Sequence, residues 1–297
     1  MRKIIKIIGV IILAIIILLA ALLVKMFIDQ KKQAEDQKAM IKTDAELLGV
    51  RFQVPRDGKA QVDVNLYIPE NSGKLPVIFN IHGGAFIGGN ADALDTQSDR
   101  LSREWNAAVV TVQYKLALDG ITIDDAVEEV ADTILYFKAH AEEYGFDPNR
   151  FVVMGYSAGG YHALAAVIRL KGADIDVAAQ VLCYPYIRDA DNLYASLTEA
   201  QRATIAPALF VLADNDPIGE GGRTYEALLH SNGIQTEIKK YDGALHGFIE
   251  ENNPEYEKLN NKQSKSPEQE EMARDAEAYI GSWLEGRTDT ENRTMVL

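Results

Sequence analysis

The sequence predicts an α/β domain, with a mostly parallel sheet covered by helices on both faces and one membrane-spanning helix in front of it. Three observations carry this. Short β-branched runs alternate with helical patterns from Pro76 to the last helix, the arrangement that builds parallel sheets through crossover helices. One run passes into a helix through Gly155-Tyr156-Ser157-Ala158-Gly159. Ile7 to Val24 is an unbroken stretch of 18 apolar or glycine residues. The 297 residues are 47% hydrophobic and 25% charged, which suits one large α/β domain.

The apolar stretch, read as a helix, spans about 27 Å at ~1.5 Å per residue, close to the ~30 Å hydrocarbon core of a bilayer. Lys25 snorkels, and Met26, Phe27 and Ile28 extend the span, so residues 1–28 are read as a transmembrane signal anchor. A cleaved signal peptide has a shorter apolar core and a small-residue cleavage site, and no A-x-A pattern lies in or just after this stretch. Basic residues flank both ends (Arg2, Lys3, Lys6; Lys25, Lys31, Lys32, Lys38) in near balance. We expect a cytoplasmic N-terminus and a domain outside the cytoplasm. Residues 29–49 are polar and read as a stalk.

The domain is expected over residues 50–285. Val50–Val54 and Gln61–Ile68 are alternating runs joined around Asp57-Gly58, a hairpin. Pro76–Ile81 is a strand that ends in His82-Gly83-Gly84-Ala85-Phe86, and Ala107–Tyr114 is another. Thr122 to Asp125 opens a helix with a capping-box-like start, and Gly145 is expected to end it. Asp147-Pro148-Asn149-Arg150 reads as a turn before the Phe151–Met154 strand. After Gly160, Leu164, Val167 and Ile168 mark one helix face. Val177–Tyr184, Ala208–Ala213 and Thr236–Tyr241 are strands, with a helix over Arg223–Ser231. Ser266-Pro267-Glu268-Gln269 opens the last helix: Ser caps it, Pro takes the first turn and Gln closes the box. Met272, Ala276, Tyr279, Ile280 and Trp283 form its buried face. The tail, residues 286–297, is polar and read as loose.

The formal charge is −14; residues 1–32 carry +5, leaving −19 on the rest. An acidic surface of this kind argues against nucleic acid as a partner. The single cysteine, Cys183, excludes an intramolecular disulfide and a Cys-rich zinc site. No metal motif and no dinucleotide glycine pattern is present, so neither a metal nor a cofactor is expected.

Strand, sharp turn and helix around Ser157 is the setting of a nucleophile elbow. A serine needs a base, and the base needs a carboxylate to orient it. Of five histidines, His140, His162 and His230 fall in helical patterns, and His82 is better explained as shaping its loop. His246 follows the last strand at the edge where ligands bind in parallel sheets. Asp214 and Asp216 both follow the Ala208–Ala213 strand, and spacing alone does not choose between them. Main-chain amides at Gly83, Gly84 and Ala158 are candidate oxyanion donors, because glycine admits close approach and a helix N-terminus favours negative charge.

These motifs, in this order, resemble the α/β-hydrolase superfamily and, within it, the hormone-sensitive-lipase-like and acetyl-esterase-like serine esterases. The matching residues are His82 to Phe86, Gly155 to Gly160, Asp216-Pro217 and His246-Gly247-Phe248, with Tyr114 to Ala117 and Asp147 to Arg150 as further landmarks. The resemblance covers roughly residues 50–285. It implies an α/β-hydrolase fold and a Ser157–Asp216–His246 triad, with Asp216 selected because it precedes Pro217. Ala85 stands where the family often has a third glycine, and Tyr156 where this branch often has an acid. Only residues 187–206 are left for a cap. The expected substrate is therefore a short-acyl, acetyl-like ester of a small molecule or carbohydrate. A serine peptidase or amidase on the same scaffold, or a non-catalytic membrane-tethered binding module, are the alternatives.

Overall fold

Every residue from Phe151 to Tyr156 is buried, because the strand they form has helices on both sides. In this computed structural model, residues 17–18, 21–22, 24–25, 40–70, 73–258 and 265–288 are described. Eight strands form one sheet: β1 (Val50–Val54), β2 (Val62–Tyr67), β3 (Leu75–Ile81), β4 (Ala108–Gln113), β5 (Phe146–Tyr156), β6 (Ala179–Cys183), β7 (Ala208–Asn215) and β8 (Thr236–Leu245). Their order is β1-β2-β4-β3-β5-β6-β7-β8. The β1–β2 and β2–β4 pairs are antiparallel and all others are parallel.

Alternate residues of the central strands feed two cores. Phe79, Phe151 and Val153 face one layer with helices α2 (Ile123–Ala139) and α3 (Ala158–Gly172), and α6 (Glu220–Ser231) joins the same layer. Ile78, Val152 and Met154 face the other, with α1 (Asp95–Glu104) and α7 (Pro267–Thr288). Burial on both faces is why these strands read as continuous apolar runs rather than alternating ones. Two short helices, α4 (Ala190–Ala195) and α5 (Glu199–Arg202), stand between β6 and β7.

The structure revises several boundaries. β5 begins at Phe146, five residues before the expected strand. The Asp147–Arg150 turn is a bulge within it, since Leu75 pairs with Phe146 but Val77 with Phe151. An Asn149 amide donated to Asp147 Oδ1 at 2.9 Å holds that turn. α2 has the expected capping box between Thr122 and Asp125, yet it ends at Ala139 and not at Gly145. α1 had no counterpart in the sequence reading. Its buried face is Asp95, Gln97, Ser98, Leu101 and Ser102, too polar to register as an amphipathic stripe. Ser266 Oγ does accept the Gln269 amide. The Gln269 side chain does not close a box, however. It bonds the Leu245 amide at 2.9 Å and the Gly243 carbonyl at 3.0 Å.

Met40 to Gly49, placed in the stalk by sequence, packs on the domain. Met40 is buried, and Lys42 Nζ contacts Asp95 at 2.6 Å and Glu255 at 2.8 Å. The chain divides into two units, Met1–Ala39 and Met40–Leu297. Of the apolar stretch, only Ile17, Leu18, Ala21, Leu22 and Val24 are described, each helical. The expected span as a whole therefore lies outside the described residues, as do residues 289–297 of the tail. No helix among the described residues is long and apolar enough to cross a membrane.

Candidate active site

Ser157 sits between β5 and α3 with φ 52° and ψ −117°, a left-handed conformation that L-residues avoid and that marks a site held under strain. The flanking glycines make this turn possible. A Cβ at Gly155 would lie 2.1 Å from the Gly159 carbonyl oxygen. One at Gly159 would lie 2.3 Å from the carbonyl oxygens of Ile81 and His82. The elbow and the loop after β3 thus meet backbone to backbone.

β7 and β8 bring the other two side chains in. Their last pair is Asn215 with Leu245, so Asp216 and His246 leave adjacent strands at the same level. The Ser157 hydroxyl donates to His246 Nε2 at 2.8 Å. His246 Nδ1–H donates to Asp216 Oδ2 at 2.8 Å. Asp216 Oδ1 accepts the Ile218 amide at 2.9 Å, and its side chain is fully buried while the imidazole stays partly exposed. With Nδ1 carrying the proton, Nε2 is the acceptor that faces the serine hydroxyl. The ring of Tyr184 meets the imidazole edge-on at 5.2 Å. Asp214, the competing acid, is half-exposed and paired with Lys240 at 2.7 Å.

The oxyanion candidates separate into two kinds. No hydrogen bond to the amides of Gly84 or Ala158 is found among the described residues, and Ala158 opens α3, where the helix dipole favours negative charge. Gly83, in contrast, donates its amide to Glu250 Oε2 at 3.2 Å. Gly84 has φ +128°, and a Cβ there would fall 2.1 Å from the Gly88 carbonyl oxygen. His82 shapes this loop as expected: it is buried and its Nδ1 bonds the Gly83 carbonyl. It also stacks on Tyr114, whose hydroxyl donates to the His82 carbonyl at 2.8 Å. Burial pushes the His82 imidazole down to about 4, so it stays neutral. His162 is buried in α3 and pushed down to about 3 for the same reason. His140 caps α2 and His230 lies in α6. Burial holds the Cys183 thiol well above its ordinary value, which leaves it unreactive.

Sequence reasoning missed Glu250. It lies four residues past His246 and is buried. Burial, then the charge of Glu251, pushes its carboxyl up to about 7 against the opposing pull of the Gly83 amide and His246. Its only signal in the sequence is its place directly after Phe248-Ile249, and the run Glu-Glu-Asn-Asn reads as solvated surface.

A family profile described as alpha/beta hydrolase fold matches residues 78–192 and 186–250. The chain is 24% identical over 225 residues to an arylesterase of Saccharolobus solfataricus, covering 64% of this chain and 73% of that protein. It is 25% identical over 226 residues to an acetyl esterase of Salmonella schwarzengrund, covering 63% and 69%. Among solved structures it is similar to a hyperthermophilic esterase from Pyrobaculum calidifontis, with TM-score 0.66 and 22% identity over 89% of this chain and 93% of that one. An arylesterase structure superposes with TM-score 0.69 and 19% identity over 88% and 93%. With the profile spanning more than half of its length and the elbow, sheet order and strand ends arranged around Ser157, the chain belongs to the α/β-hydrolase fold family.

Proposed function

We propose that this ester hydrolase is a serine carboxylesterase that takes short, acetyl-like acyl groups and works through an acyl-enzyme. The observation that carries the reading is the continuous hydrogen-bonded line from Ser157 Oγ through His246 to Asp216, two contacts of 2.8 Å each. Ser157 attacks the ester carbonyl as His246 Nε2 takes its proton. Asp216 holds the Nδ1–H tautomer and offsets the charge on the imidazolium. The developing oxyanion is met by the Gly84 and Ala158 amides, donors fixed before the reaction begins. His246 returns the proton to the leaving alcohol. It then activates the water that releases the acid and frees Ser157.

The short-acyl reading rests on the shortness of the insert between β6 and β7, whose α-helices are α4 and α5. So short a segment supplies little chain to line a long acyl pocket. An acetyl esterase among the relatives is in keeping with it. Turnover of p-nitrophenyl esters from C2 to C16 tests this. kcat/KM is expected to peak at C2–C4 and to fall at least tenfold by C10. A maximum at C10 or longer, or faster cleavage of a matched amide than of its ester, contradicts it. The same reading places the domain on a membrane through residues 1–28, on the strength of the 18-residue apolar stretch, with the domain outside the cytoplasm.

A further inference from the structure

Glu250 stands where the loop after β3 meets the segment carrying His246. Its Oε2 accepts the Gly83 amide at 3.2 Å. A Cβ at Gly83 would come within 2.5 Å of Oε1, so the carboxyl presses directly on that peptide. On its other side, the Glu250 amide donates to the Tyr184 hydroxyl at 3.2 Å, and Tyr184 packs against the imidazole. One residue is therefore tied to both the oxyanion loop and the general base.

This is a costly place for a carboxyl. The described residues give it no Lys or Arg partner, and a buried carboxylate without a cation destabilises a fold unless hydrogen bonds compensate. The titratable groups facing it are Glu251 and His246 on its own segment, Tyr114 just past β4, Tyr256 beyond the next turn, and Tyr156, Cys183 and Tyr184 at the ends of β5 and β6. Of these only His246 becomes a cation. An apolar side chain of the same size would fill the space at less cost, so the carboxyl points to a role in the site.

We infer that Glu250 is a positioning residue: its carboxyl fixes the Gly83 peptide so that the next amide, that of Gly84, faces Ser157, and its negative charge steadies the protonated form of His246. The inference rests on the triad reading above. It adds a consequence for pH. Only the ionised carboxylate can steady the imidazolium formed during the reaction. The acid limb of the rate profile then carries the ionisation of Glu250. A carboxyl that titrates near 7 makes that limb sensitive to its removal.

The test uses the full chain with Glu250→Gln and Glu250→Ala. Turnover of p-nitrophenyl acetate is followed from pH 5 to 9 and normalised to sites titrated with a fluorophosphonate. Amide exchange of the peptide covering residues 82–89 is read in parallel. In Glu250→Ala, kcat is expected to fall about 10- to 100-fold, part of what a whole oxyanion donor supplies, with KM within threefold and faster exchange at residues 83–84. Glu250→Gln keeps an acceptor for Gly83, so its exchange matches the wild type, while its acid limb moves to lower pH by half a unit or more. A wild-type kcat per site in the alanine variant, or a glutamine limb that stays put or moves upward, overturns the inference. Should the alanine variant not fold, the glutamine profile decides. A wild type without Ser157-dependent turnover contradicts the triad reading instead. The exchange of residues 83–84, which needs no turnover, then still judges the tether.

Discussion

Asp216 divides its two oxygens between the Ile218 amide and the imidazole of His246, and this division makes its role separable from its contribution to the fold. Asp216→Asn keeps an oxygen for Ile218 but presents an amide to the imidazole, which favours the wrong tautomer. We expect kcat to fall about 10⁴-fold, by analogy with the same change in a serine protease triad, with the melting transition nearly unmoved. A loss below tenfold, measured on folded protein, would reassign the acid. That Ser157 and His246 meet was legible because the turn chemistry around one and the strand end before the other leave few choices. Asp216 over Asp214 was not legible from spacing. The difference between them is three-dimensional: Asp214 pairs with Lys240, whereas Asp216 accepts from the His246 imidazole. The fate of the Gly83 amide was illegible as well, because it depends on a carboxyl 167 residues away.

At the scale of elements, the elbow owes its rigidity to packing beneath it. Phe151 starts the continuously buried run of β5, and its ring meets Phe79 at 5.4 Å. Phe151→Ala removes a fully buried ring and leaves a cavity, which should cost about 3–5 kcal/mol. Urea unfolding monitored by circular dichroism measures this, and a loss under 1 kcal/mol would mean that the two cores repack freely around β5. Most strands and the two helices flanking the elbow could be read in advance, since both faces of the central strands are buried and the α2 cap uses local bonds. α1 could not, because its inner face is held by side-chain hydrogen bonds, among them Asn80 to Ser98 and Gln97 to Glu277. The longer β8 was hidden for a related reason. Gly243 lies within it, and the strand's end is held from outside by Gln269 of α7.

For the whole molecule, one sheet edge gathers groups from the ends of β3, β5, β7 and β8. The sheet therefore sets what is brought together, and the short-acyl proposal assigns the choice of ester to the insert between β6 and β7. The chain beyond residue 32 carries a net charge of −19, so the membrane attachment proposed above would rest on residues 1–28 and not on charge attraction to anionic lipid. The full chain is expected in the membrane fraction, resistant to alkaline carbonate, whereas a form lacking residues 1–39 is expected in the soluble fraction with kcat unchanged. Full-length protein released by carbonate would count against an anchor.

The serine at the elbow is the claim from which the rest follows, and covalent labelling reads it directly. Incubation with a fluorophosphonate, followed by intact mass and peptide mapping, is expected to add one label, on Ser157, and to add none in Ser157→Ala. Labelling that persists in that variant, or that maps to a different serine, would contradict the account.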